Sequence, residues 1–252
     1  MSIKEGDKEF SNNQEQDARL KLANLLEECK IPKPEILSNL GLFLNSKNLS
    51  RILFMNYIYQ NIIDVQGVVF DLGTRWGQNM SLFSSLRGIY EPYNRHRKII
   101  GFDTFEGFVE ITPEDGGSNL MNTGNVTVSP NYENYLNEIM ECHEQDNPLS
   151  HIKKFSIIKG DANNTVQDYL EAHPETIISL AYFDFDVYKP TAKVLETIIP
   201  RLTRGSVLGF DELNDPDSPG ETIALMEKIG LNNIKLRRYR YSSRVSYFVF
   251  GE

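Results

Sequence analysis

From Gly67 onward, short β-branched or aromatic runs alternate with helix-compatible stretches. GVVFDLG precedes GQNMSLFSSLRGIY, and KIIGFD precedes a long polar stretch and NYENYLNEIMECHEQ. FSIIKGD precedes NNTVQDYLEAH, TIISLAYFDFD precedes KPTAKVLETIIPRL, and SVLGFDE precedes PGETIALMEKIG. Fivefold alternation of strand and helix predicts a mostly parallel sheet covered by helices on both faces, an α/β Rossmann-like fold. The last two runs, IKLRRYRY and RVSYFVF, are separated only by a Ser-rich turn. So short a link predicts an antiparallel pair, because a parallel crossover needs about a dozen residues.

In such sheets ligands lie beyond the carboxyl ends of the strands, near the reversal in strand order. Each of the first five strands delivers an acid to that edge. The ends carry Asp71, Asp103, Gly160-Asp161, the pair Asp184 and Asp186, and Asp211-Glu212. If extension persists through AYFDFDVYKP, Asp184 and Asp186 face the same way. Like charges so placed are costly unless they meet solvent, a cation or a proton.

The turn after the first strand reads Gly73-Thr74-Arg75-Trp76-Gly77. Gly73 permits a tight exit from the strand, and Gly77 permits close packing at the helix start. A dinucleotide site prefers G-x-G-x-x-G, and the middle glycine is missing here. That suits a ligand without phosphates whose carboxylate and amine bind near the loop. Asp103 is placed to accept from ribose hydroxyls, and Asp161 from an adenine amino group. Together they describe an adenosine with an amino-acid tail, S-adenosylmethionine (SAM).

The chain has 252 residues and a formal net charge of −9, which argues against nucleic acid or an anionic membrane surface as the main partner. No apolar run reaches the ~20 residues of a membrane span. The two cysteines, Cys29 and Cys142, fit neither a disulfide framework nor a C-x-x-C metal motif, and suit a reducing cytoplasm. The polar residues 1–18 read as a flexible tail. Residues 19–64 read as a helical segment with helices in ARLKLANLLEECK, EILSNLGLFLNS and LSRILFMNYIYQNIID, the last packing on the main domain. The basic run YNRHRK reads as a solvated face.

FDLGTRWGQN, GFDTFEGF, KGDANNT, the FDFDVYKPT stretch and GFDEL occur in this order. From about Gly67 to the C-terminus the chain resembles the class I SAM-dependent methyltransferases, more narrowly the macrocin O-methyltransferase group that methylates sugar hydroxyls. The resemblance implies a seven-stranded sheet with an antiparallel last strand over residues 65–252. It implies SAM near Asp71, Gly73, Thr74, Arg75, Trp76, Gly77, Asn79, Asp103, Thr104, Phe105, Gly160, Asp161, Ala162 and Asp184. It also implies a divalent cation, usually Mg²⁺, on Asp184, Asp211 and Glu212, a sugar-bearing small-molecule substrate, and a homo-oligomer. The family usually shows a second aspartate where this chain has Glu212.

The expected reaction moves a methyl group to a sugar hydroxyl of a natural product or nucleotide sugar. Asp186 acts as base, with Asp184 as the other candidate, and the segment 104–128 as a lid. Two alternatives stay open. A metal-dependent glycosyltransferase would use the D-x-D stretch but leaves Gly73, Gly77, Asp103 and Asp161 without a joint role. A SAM-binding relic would have lost catalysis.

Overall fold

The computed structural model describes residues 12–252. Most of the stretch read as a tail, residues 1–11, lies outside the described residues. Helix α1 (Asn13–Glu27) begins inside that stretch, where Asn12 and Glu15 form a capping box. It buries no residue. Where EILSNLGLFLNS predicts a helix, the chain makes two 3₁₀ turns, Lys33–Glu35 and Leu37–Phe43. Pro34 opens the first turn, and the run's leucines stay largely exposed, so no packed face stabilises a longer α-helix.

Helix α2 (Ser46–Gln60) is capped by Asn45 and buries Phe54, Met55, Ile58 and Tyr59. The sheet comprises β1 (Val68–Leu72), β2 (Ile99–Asp103), β3 (Phe155–Lys159), β4 (Ile178–Phe183), β5 (Leu202–Phe210), β6 (Arg237–Arg238) and β7 (Ser246–Val249). Its order is β3-β2-β1-β4-β5-β7-β6. The first five strands are parallel, and β7 runs antiparallel to both neighbours. The helices between them are α3 (Gln78–Tyr90), α4 (Tyr132–Asp146), α5 (Ala162–Ala172), α6 (Tyr188–Ile198) and α7 (Gly220–Lys228).

Alternation along each strand splits the core between the two faces. Val69, Leu180, Tyr182 and Val207 pack with α2, α3 and α4, while Phe70, Ala181, Phe183 and Leu208 pack with α5, α6 and α7. Helix α2 also meets the C-terminal hairpin. The Phe54 and Tyr239 rings lie 5.1 Å apart, and the Tyr57 and Tyr247 hydroxyls are 2.8 Å apart. The YNRHRK run is not wholly a solvated face. Arg97 is buried, paired with Glu91, and donates to the carbonyls of Ile62, Val65 and Gly67. It thereby ties the end of the helical segment to the start of the sheet.

The segment 104–128 is built rather than slack. Phe108, Leu120 and Met121 form a small apolar cluster with Val187, and Ile111, Val126 and Phe185 pack against it. Buried Asp115 accepts from the Thr112 amide within its own turn at 2.7 Å. Its other oxygen accepts from the Tyr188 amide, the first of α6, at 2.5 Å. Among the described residues no helix is long and apolar enough to cross a membrane.

Candidate functional site

The sheet order reverses between β1 and β4, and a cavity of about 740 Å³ opens beyond their carboxyl ends. The β1–α3 turn crosses it closely. Gly73 has φ +91°, and a Cβ there would sit 2.1 Å from the Asp184 carbonyl oxygen. No side chain fits that approach. Gly77 opens α3 in the left-handed region, where a Cβ would strike Leu136. Four non-glycine residues around the cavity, Arg75, Phe105, Val126 and Asp186, also have positive φ, of 45°, 57°, 57° and 63°. Backbone strain of this kind gathers where loops are held for function.

Most of the residues expected to hold SAM line this cavity: Gly73, Thr74, Arg75, Trp76, Asn79, Asp103, Thr104, Gly160, Asp161, Ala162 and Asp184. Asp103 accepts the Arg75 amide at 2.7 Å on one oxygen and the Phe105 amide at 2.6 Å on the other. Burial raises its carboxyl above the usual range, against the pull of those two amides. Asp161 caps α5 through the Asn163 amide, at 2.9 Å. Trp76 stands edge-on to Tyr132, with centroids 4.7 Å apart.

Three expectations change. The Phe105 side chain turns into the core beside Val128 and Leu136, leaving only its amide to the site. Gly77 serves helix packing rather than the cavity wall. Asp71 lies beneath the floor, fully buried, with burial pushing its carboxyl up to about 6. Its Oδ1 accepts from Asn79 at 3.4 Å, and its Oδ2 has no hydrogen-bond partner among the described residues. An orphaned buried carboxylate oxygen next to a bare glycine turn fits a cationic amine, as SAM's amino-acid end carries.

On the other side of the cavity, β4 stops at Phe183, so extension does not persist to Asp186. The left-handed backbone of Asp186 turns the chain into α6. Both Asp184 and Asp186 still line the cavity, as do Asp211 and Glu212. The three expected metal ligands, Asp184, Asp211 and Glu212, do not form a metal set. Arg51 of α2 donates from Nη2 to Asp184 Oδ2 and from Nη1 to Asp211 Oδ1, each at 2.5 Å, and from Nε to Asn79 Oδ1 at 3.2 Å. Glu212 turns to Arg244 and accepts the Ser218 hydroxyl at 2.5 Å. Among the described residues no group of three His, Cys, Asp or Glu side chains is arranged to hold a metal ion. A guanidinium occupies the space between Asp184 and Asp211, so the residues present do not fit the expected Mg²⁺.

The two bridged carboxyls differ. Burial and the charge of Asp211 raise Asp184 well above the usual carboxylate range. Burial also pushes Asp211 upward, but Arg51, the Tyr182 hydroxyl at 2.7 Å and Arg244 outweigh it and leave it lowered. Behind them, Glu221 of α7 is fully buried and accepts the Phe185 amide at 3.0 Å. Burial, then Asp186 and Asp184, raise it strongly. Arg51 and Arg244 line the cavity, and Glu221 supports the chain behind it; motif reading missed all three. The one signal for Arg51 is a cation set in the apolar run LSRILFMNYIYQ, where a buried face demands a partner for it.

No protein-family model matches the chain, and no curated protein matches it. Solved structures do. One described as CalS11, calicheamicin methyltransferase, is 37% identical, covers 100% of this chain and 98% of its own, and superposes with a TM-score of 0.94. An apo structure of CalS11, described as a TDP-rhamnose 3'-O-methyltransferase, is 37% identical over 96% of both chains, at 0.85. The O-methyltransferase NovP, 14% identical over 79% of both chains, shares the fold at a TM-score of 0.58. Full-length likeness at this identity leaves the glycosyltransferase reading without ground. The chain belongs to the class I SAM-dependent methyltransferases, among the macrocin O-methyltransferase-like sugar O-methyltransferases, and is a SAM-dependent O-methyltransferase.

Proposed function

We propose that the protein methylates a sugar hydroxyl, on a nucleotide sugar or a sugar-bearing natural product. The observation that carries this reading is the division of one cavity into a donor half, Gly73, Thr74, Trp76 and Asn79 with Asp103 and Asp161, and an acidic half holding Asp184 and Asp186. Its size is in the upper part of the roughly 300–1,000 Å³ range of ligand sites, suited to two reactants side by side. The likeness to a protein described as acting on TDP-rhamnose supports the choice of acceptor. So does the basic wall. Lys47 and Arg75 line the cavity, and Arg75 Nε is buried without a hydrogen-bond acceptor among the described residues. A diphosphate would supply one.

When bound, SAM supplies an electrophilic methyl on a sulfonium and leaves as the thioether. The chain's residues do the rest. Asp71 and the Gly73–Gly77 turn hold the donor's amino-acid end, and Asp103 and Asp161 its nucleoside. The acceptor oxygen bonds to the methyl carbon as the carbon–sulfur bond breaks, its electron pair going to sulfur. The hydroxyl proton passes to Asp186. The raised proton affinity of Asp184 makes it the second candidate for that role. Phe108, Leu120 and Val126 close one wall with apolar surface and keep water from the reacting atoms.

The test is a SAM-dependent assay across sugar nucleotides and glycosides, with and without EDTA. Turnover on at least one sugar hydroxyl, and none on catechols or other phenols, is the expected result. Turnover confined to phenols would refute the acceptor assignment. With an acceptor in hand, Asp186→Asn and Asp184→Asn separate the two candidate bases. The true base loses turnover by about 10²–10⁴-fold and loses the acid limb of its pH profile.

A further inference from the structure

The three carboxylates expected around a dication already have cationic partners from the chain itself. Arg51 spans Asp184 and Asp211 through its two terminal nitrogens, and its Nε reaches Asn79. Asn79 in turn leans on Asp184 and on Asp71, at 3.4 Å each. Tyr182 fixes Asp211 from below, and its ring centroid lies 5.8 Å from the guanidinium carbon. Glu212 is drawn off to Arg244. Each of the three guanidinium nitrogens donates to one of these groups, and the fork matches two carboxylates as a point charge does not.

We propose that Arg51 is the resident cation of the acceptor side, and that Arg51 and a divalent ion are mutually exclusive occupants of the gap between Asp184 and Asp211. The guanidinium takes Asp184 Oδ2 and Asp211 Oδ1, the oxygens turned to the gap, where Mg²⁺ would need its ligands at about 2.0–2.1 Å. A dication in that gap would also meet a like charge that no ordinary pH removes. Arg51 is therefore a positioning residue. It holds the two carboxylates at a set separation beside the reacting atoms and supplies their counter-charge from a helix outside the parallel sheet. This inference goes beyond the acceptor assignment and stands whether or not the acceptor is a sugar.

The experiment is a Mn²⁺ titration of the full-length protein with S-adenosylhomocysteine present. The free ion is followed by electron paramagnetic resonance, so no acceptor and no turnover are needed. Wild type, R51Q, R51K and the double variant R51Q/D184N are compared, with thermal melts to confirm folding. In R51Q the affinity for Mn²⁺ is expected to rise about tenfold or more over wild type. R51K, which keeps the charge without the fork, is expected to lie between the two. The double variant is expected to lose the gain, locating the ion at Asp184. Equal affinity in wild type and both single variants would overturn the proposal, as would a gain that survives loss of the Asp184 charge. R51K keeps the test alive should R51Q not fold. A failed acceptor screen would leave this result untouched, and the reverse is equally true.

Discussion

In the proposed donor site, Asp71 would couple burial to ligand binding. Its carboxyl, pushed up to about 6 from an ordinary value of 3.8, prefers a proton in the folded chain. Its contribution to stability is complete below the lower value and is lost as pH rises through the higher one. A cationic amine at Oδ2 favours the ionised form, so donor binding strengthens over that same interval. Calorimetry with S-adenosylhomocysteine should give an affinity about tenfold weaker near pH 5 than near pH 7.5. Asp71→Asn should weaken binding and flatten this profile. A wild-type profile that is already flat would remove Asp71 from the donor site. Gly73→Ala should abolish binding and destabilise the fold, because φ +91° and the Asp184 carbonyl leave a Cβ no room. These residues were readable because a strand's end and a glycine turn announce themselves locally. Arg51 was not, since its partners lie 133 and 160 positions further along. Nothing near LSRILF says which acids it will find.

Among the elements, the five strand–helix alternations were legible from pattern alone, and so was the short link that forces the final hairpin antiparallel. The misreadings came where tertiary contacts decide. β4 stops one residue before Asp184 rather than running on to Asp186, and the leucine-rich run 35–46 coils as 3₁₀ turns because little packs on it. The segment 104–128 carried only the signature of a long polar loop, yet it is latched. Asp115 joins its turn to the first amide of α6, a helix that has no cap from its own N-cap residue, Val187. Asp115→Ala removes that cap and should cost about 0.5–2 kcal/mol in stability. Hydrogen exchange should quicken in both 104–128 and the start of α6. Acceleration in only one of them would show that the two are not mechanically joined.

At the scale of the molecule, the helical segment ahead of β1 has two characters. Helix α2 is part of the core, whereas α1 and the turns after it leave Leu20, Leu37 and Leu42 more than half exposed. A homo-oligomer, implied by the resemblance, would cover such a surface. Light scattering coupled to gel filtration should report more than one chain per particle, and Leu37→Glu with Leu42→Glu should shift it toward the monomer. An unshifted mass would place any contact elsewhere. Arg51 gives the same segment a further meaning. A methyltransferase trimmed at Gly67 to its sheet and flanking helices would bare the core face that α2 covers and lose the Arg51 cation that α2 brings to the opposite wall. Engineers seeking a minimal version of this enzyme would have to keep α2. That one helix serves both the fold and the wall of the cavity.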